Sequence, residues 1–194
     1  MHFLVVSATP RADSFNAALR EAAVTALAAA GHEVEMLDLY AEGFAPALTA
    51  AERGRYFDTA ANREGVEAEA AQLLRAEGLV LVYPTWWFGF PAILKGWFDR
   101  IWLPGLAFDL GGPGLQRKLH NIRRVAVVTS YGSPWWFIRF WMGDPMGKVI
   151  RRGIVALCHP SCRTLFLALY HMDATTEARR RRFLEDVRRR LSAF

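Results

Sequence analysis

The chain has 194 residues, 53% apolar, 22% charged and 13% aromatic, which is the size and make-up of one globular domain covering 1–194. Roughly 70% of the unfolded surface can be buried at this length, so disorder is excluded and a core needs no disulfide or metal staple. The net charge of +5 is unevenly placed, because seven arginines against three acids between Glu177 and Arg190 leave +4 there and +1 elsewhere, and a body this neutral predicts no nucleic-acid partner.

In chain order, His2 to Ser7 is a short apolar run that predicts a buried strand, followed by a polar loop from Ala8 to Asp13. Ser14 caps a helix whose apolar positions recur at helical spacing up to Gly31. Glu33 to Leu39 alternates as a second strand, and the connection Tyr40 to Arg63 holds a helical piece around Thr49 to Asp58. Gly65 to Glu77 reads as a helix, Leu79 to Tyr83 as a fully apolar strand, and Pro91 to Trp102 as the next helix. Arg124 to Thr129 is a fourth strand, Met146 to Leu157 a helix, Thr164 to Leu169 a fifth strand and Thr175 to Leu191 a closing helix.

Strands that alternate with helices and are apolar on both faces require a parallel sheet covered on two sides. The fold class is therefore α/β, a doubly wound five-stranded parallel sheet of order 2-1-3-4-5, which places a ligand crevice where the order reverses between strands one and three. The longest uncharged stretch, Gly78 to Leu94, is broken by Pro84 and Pro91 and falls short of a membrane span, so no integral membrane segment is expected. The first residues show no cationic lead or cleavage site, which gives a cytoplasmic expectation. Cys158 and Cys162 cannot form a disulfide framework, and although Cys158-His159-Pro160-Ser161-Cys162 resembles a metal clip, no second ligand pair completes it, so they read as buried or inert thiols and no metal is expected.

In that strand order the loops after strands one, three and four converge. The first contains neither a dinucleotide fingerprint nor a P-loop, but it sets Ser14, Phe15 and Asn16 at a helix N-terminus, where free N–H groups suit a phosphate as well as a simple cap. In the second, Pro84-Thr85-Trp86-Trp87-Phe88-Gly89-Phe90-Pro91 places three consecutive aromatics straight after a buried strand, where loops are ordinarily polar. That pattern fits one face of a flat conjugated ligand and equally a core or interface patch. The third, Thr129 to Met142, opens with hydroxyls and backbone donors suited to a ring's carbonyl edge. All seven tryptophans lie between Trp86 and Trp141, within or beside the second and third loops.

The run Pro84 to Arg100, with Asp13-Ser14-Phe15-Asn16 and Thr129 to Gly132, resembles the flavodoxin-like NAD(P)H:quinone oxidoreductase family. The likeness implies a flavin (FAD or FMN), with NADH or NADPH as co-substrate. It assigns the flavin phosphate to Ser14, Phe15 and Asn16, and the flavin ring to Pro84, Thr85, Trp86, Trp87 and Phe88. Thr129, Ser130, Tyr131 and Gly132 fall at the pyrimidine edge, and Trp87, Phe88 and Trp136 wall the substrate pocket. Thr9 stands where the family often has a histidine, with Arg11 beside it. Trp136 and Met142 stand where some members carry a tyrosine and a histidine that support charge on the reduced flavin, which leaves Tyr131 as the catalytic side-chain candidate.

The implied function is two-electron hydride transfer from NAD(P)H through the flavin to a quinone-like acceptor by ping-pong kinetics, in a homodimer. Three other readings remain at this stage. A carrier flavodoxin lacks support from the first loop and from the basic charge. The family also resembles soluble ancillary subunits of potassium efflux transporters. Nucleic-acid binding would use the arginine-rich end, although Phe183, Val187 and Leu191 mark that segment as an amphipathic helix with a solvated cationic face.

Overall fold

The structure is a computed structural model that describes residues 1–112 and 114–194. In chain order the elements are β1 (His2–Ser7), α1 (Phe15–Ala29), β2 (Glu33–Asp38), α2 (Ala50–Gly54), α3 (Glu67–Arg75), β3 (Gly78–Pro84) and α4 (Ala92–Ile101). They continue with β4 (Phe108–Gly112), β5 (Gly114–Arg117), β6 (Arg124–Ser130), α5 (Pro145–Lys148), β7 (Arg163–Leu169) and α6 (Glu177–Ser192). Five strands form one parallel sheet in the order β2-β1-β3-β6-β7, which is the order the sequence predicts. No helix among the described residues is long and apolar enough to cross a membrane.

The two-residue period of a strand sorts its side chains between two dry faces. On one face Phe3 and Val5, Val80 and Val82, Ala126 and Val128 pack against Leu19, Ala23 and Leu27 of α1 and Val187 and Leu191 of α6. On the other, Leu4 and Val6, Leu79 and Leu81, Val125 and Val127 meet Leu73 of α3 and Leu94, Trp97 and Ile101 of α4. The chain thus leaves β1 toward one face and β3 toward the other, which opens a crevice at the carboxyl ends of these neighbours.

Two stretches outside the three convergent loops depart from the sequence reading. Residues 108–117 contain an antiparallel pair, β4 with β5, outside the main sheet. Its Leu110 and Leu115 are exposed, so no alternation of buried and polar positions announces it. The expected helix from Met146 to Leu157 is α-helical only through α5, then widens over Val149–Ile154 and tightens over Val155–Leu157. Gly147, Gly153 and the β-branched Val149, Ile150, Ile154 and Val155 explain this, since both residue classes weaken regular helix.

A partly buried clasp fixes the long connection after β2. Thr49 caps α2 and bonds reciprocally with Glu52, whose Oε1 also accepts from Nε of Arg100 on α4 at 2.9 Å. Arg100 further donates to the Ala45 carbonyl at 2.7 Å and lies over the Phe44 ring. Close by, a Cβ added to Gly96 would sit 2.2 Å from the Pro46 carbonyl oxygen, so the helix and the connection touch backbone to backbone. The edge strand β2 is also tied inward. Asp38 pairs with Arg20 at 2.5 Å, Glu35 with His2 and Arg75, and Glu33 with His2. At the opposite edge, grooves between β7 and α6 are lined by Arg179, Arg182, Arg189 and Arg190.

Two outcomes follow. Gly96→Ala lowers stability by about 1–3 kcal/mol in chemical denaturation, as overpacking against rigid backbone does. For Glu52, burial pushes the carboxyl up, but the Thr49 N–H and hydroxyl and the Arg100 guanidinium outweigh it and hold the carboxyl at about 2, against an ordinary 4.5. A lowered folded-state value stabilises above the ordinary pKa and is lost on acidification. The thermal stability of the wild type therefore falls from pH 4.5 toward 2, and Glu52→Gln removes that part of the acid dependence.

Candidate functional site

The loop after β1 ends in a hydroxyl cluster. The Ser14 hydroxyl donates to the Arg11 carbonyl at 2.8 Å and accepts from the Ala17 N–H at 3.2 Å. With its one proton so placed, it accepts from the Thr9 hydroxyl at 3.0 Å. The next two N–H groups of α1, on Phe15 and Asn16, have no acceptor among the described residues and lie at the positive end of the helix dipole. The Phe15 ring lies 6.4 Å from that of Phe183 on α6, so its packing is directed at α6 and its backbone is the group open to a ligand. Arg11 is paired with Asp13. The buried Asn16 side chain donates to the Ser130 hydroxyl at 3.1 Å and joins the first loop to the third.

The loops after β3 and β6 are joined in the same manner. The Thr129 hydroxyl donates to the Tyr83 carbonyl at 2.7 Å, so the Thr85 hydroxyl is the donor in the 2.9 Å contact between the two threonines. The Thr85 N–H donates to the Ser130 carbonyl at 3.0 Å. Thr129 and Ser130, expected at a ligand edge, are buried, with their hydroxyls engaged inside the protein; they support the site from behind. Pro84 ends β3.

Trp86 and Gly89 bond to each other through both backbone pairs, enclosing Trp87 and Phe88 at φ 47° and 62°. Two-residue turns with both central φ values positive ordinarily carry Asn-Gly. Here two bulky aromatics occupy the left-handed region at roughly 1–2 kcal/mol each. The turn leaves Trp87 93% exposed, while Phe88 packs 5.9 Å from Phe137 and Phe137 in turn 5.9 Å from Trp136. Residues 137–141, read from sequence as loop, form a wide helical turn.

Thr85, Trp86, Trp87, Phe88, Tyr131 and Gly132 come together with Ser133 and Asp173 around a cleft of about 470 Å3. Trp136 is not among its walls; it is largely exposed beside them. The Tyr131 ring stacks on Tyr170 at 5.1 Å and 10°. Its buried hydroxyl has no partner among the described residues. Burial, and then the neighbouring Tyr170, push the phenol above its ordinary range against an opposing contribution from the Thr85 hydroxyl, so it stays protonated at neutral pH and offers a donor proton, while its oxygen can still accept. Sequence reasoning missed Asp173, which arrives from the loop after β7 and approaches Gly132 so closely that a Cβ there would lie 2.7 Å from Oδ2. No local motif marks it; only the parallel order of β6 and β7 brings it in.

Together the groups describe a receptor for a planar, hydrogen-bonding ring with an anionic tail. Aromatic side chains supply a wall, Tyr131 an unfilled donor, and the start of α1 two free N–H groups.

A family model described as flavodoxin-like fold matches residues 1–191. Among curated proteins the chain is similar to NAD(P)H dehydrogenase [quinone] 1 of Rattus norvegicus, 32% identical over 174 residues, covering 80% of this chain and 64% of the relative. It is also similar to the NAD(P)H oxidoreductase YcaK of Escherichia coli, 36% identical over 126 residues, covering 64% of this chain and 62% of the relative. The matches span between 53% and 64% of the length of the first such relatives. Among solved structures, NAD(P)H:quinone oxidoreductase from Methanothermobacter marburgensis superposes with a TM-score of 0.84 at 28% identity, over 99% of this chain and 98% of that one. Smu.1420 from Streptococcus mutans gives the same score and identity over 100% of both chains.

The strained turn has a measurable signature. Trp87→Asn relieves a left-handed tryptophan without losing buried packing, and is expected to raise unfolding stability by roughly 0.5–1 kcal/mol, seen as a higher denaturation midpoint.

Proposed function

As a member of the flavodoxin-like fold family, matched over residues 1–191, this chain is, we propose, a flavin-dependent NAD(P)H:quinone oxidoreductase. The observation that carries the reading is the convergence of the aromatic turn, the unpartnered Tyr131 phenol and the free N–H groups of α1 at one reversal of strand order. The names of the rat and Methanothermobacter relatives support it. The residues fit a flavin, whether FAD or FMN: the Tyr131 hydroxyl needs an acceptor, which a ring carbonyl provides, and the start of α1 offers donors to a phosphate.

A flavin bound there supplies two-electron hydride chemistry between NADH or NADPH and a quinone-like acceptor. The protein's own part is binding and alignment. Phe15 and Asn16 hold the phosphate through their backbone N–H groups. Trp86, Trp87 and Phe88 cover the ring and limit water, and Tyr131 keeps its proton and donates it in a hydrogen bond. Thr85, Thr129, Asn16 and Ser130 fix the three loops at one spacing, so alignment does not have to be reassembled in each cycle. The exposed Trp86 and Trp87, with Leu110 and Leu115 of the β4–β5 pair, suit coverage by a second copy in a homodimer. The place of action is the cytoplasm.

Purified protein incubated with FMN or FAD and passed through gel filtration is expected to retain one of them, seen in visible absorbance. Steady-state rates with varied NAD(P)H and quinone should then give parallel double-reciprocal lines. Protein that retains neither flavin overturns the reading, and intersecting lines overturn the ping-pong order.

A further inference from the structure

Next to the cleft lies a second hollow, of about 380 Å3, whose walls include Trp135, Arg139, Asp144, Arg151, Phe166 and Tyr170. The Tyr131–Tyr170 stack, 5.1 Å between ring centres, links the two: Tyr131 lines the cleft and Tyr170 the hollow. Building on the oxidoreductase reading, we propose that this hollow takes the adenosine end of the pyridine nucleotide, with a phosphate held by Arg139 and Arg151.

The arginine pair is set in place before any ligand arrives. Asp144 Oδ2 accepts from Arg139 Nη1 at 3.2 Å and from Arg151 Nη2 at 2.7 Å. Asp144 is itself fixed. Its backbone is left-handed at φ 55°, its N–H donates to the Ile138 carbonyl at 2.8 Å, and its Oδ1 accepts from the Gly147 N–H at 3.2 Å. Gly147 makes room for it, since a Cβ there would fall 2.3 Å from Oδ2.

One carboxylate facing two guanidinium groups leaves a surplus positive charge. Each arginine uses a single nitrogen on Asp144, so its other N–H groups have no acceptor among the described residues. Both side chains are about half exposed, open to a ligand yet oriented. Forked guanidinium donors match phosphate oxygens in geometry and charge. The exposed Lys148 and Arg152 on the same stretch add positive potential. Trp135, Phe166 and Tyr170 present aromatic surface for a purine, and the volume falls in the range of small-ligand sites.

A dinucleotide offers two phosphate sources, the pyrophosphate and, in NADPH, the 2′-phosphate. Calorimetric titration of the flavin-incubated protein with 2′,5′-ADP, with ADP and with inorganic phosphate separates them. At least one nucleotide should bind more tightly than inorganic phosphate. Preference for 2′,5′-ADP assigns the 2′-phosphate and makes NADPH the better reductant; preference for ADP assigns the pyrophosphate. The double variant Arg139→Gln, Arg151→Gln should weaken the favoured nucleotide by about tenfold or more, and Arg151→Lys, which keeps the charge and loses the fork, should weaken it less. The proposal is overturned if neither nucleotide binds, or if Arg151→Lys and the double variant, both with native circular dichroism, bind as the wild type does. Binding is read without turnover, so the two readings fail separately: protein that retains flavin and binds neither nucleotide loses only the subsite, and protein that binds 2′,5′-ADP yet retains no flavin loses only the oxidoreductase assignment.

Discussion

The parallel sheet must be dry on both faces, and the rest of the structure follows from that requirement. Parallel strands cannot be joined by tight turns, so each connection crosses a face and covers it with a helix. With β1 and β3 as neighbours and their following helices on opposite faces, the chain must diverge at the carboxyl ends of the middle strands. The crevice is thus a by-product of covering the core, and the segments that border it are free to carry unusual residues because packing does not dictate them.

Those segments are not loose. Side-chain amide and hydroxyl groups of Asn16, Thr85, Thr129 and Ser130 join them across the sheet end, in the manner of a brace behind a wall. The energy that such bracing provides allows the turn at Trp87 and Phe88 to persist in a conformation that isolated residues of these types avoid. Rigid support and local strain are therefore two sides of one arrangement, in which Asn16, Thr129 and Ser130 are buried and the strained Trp87 meets solvent.

Much of this was legible in the sequence. The five strands announce themselves because each is either continuously apolar, as Leu79 to Tyr83 is, or alternating, as Glu33 to Leu39 is. The aromatic turn stood out for the opposite reason, since Trp86-Trp87-Phe88 follows a strand without a break to polarity. The β4–β5 pair was not legible because Leu110 and Leu115 are exposed and three glycines surround them, leaving no pattern of burial to read. The bonding of the Thr129 and Ser130 hydroxyls to Tyr83 and Asn16 was not legible either, because sequence gives a hydroxyl's position along a strand and not the direction of its bond. Asp173 lies beyond both limits, with its partner Gly132 some forty residues earlier in the chain.

The two outer strands of the sheet also bear on how copies of the protein behave toward one another. An open strand edge invites another chain to pair with it, and opposite charges at the two ends of one sheet would favour head-to-tail growth. Here Asp38 and Glu35 of β2 are already matched within the molecule by Arg20 and Arg75, whereas the arginines of α6 stand beside the β7 edge largely in solvent. One edge is neutralised and the other cationic, so neither end finds its complement on a neighbouring copy. The positive charge gathered on the closing helix thereby sets like against like where two such edges would meet, which opposes edge-to-edge pairing.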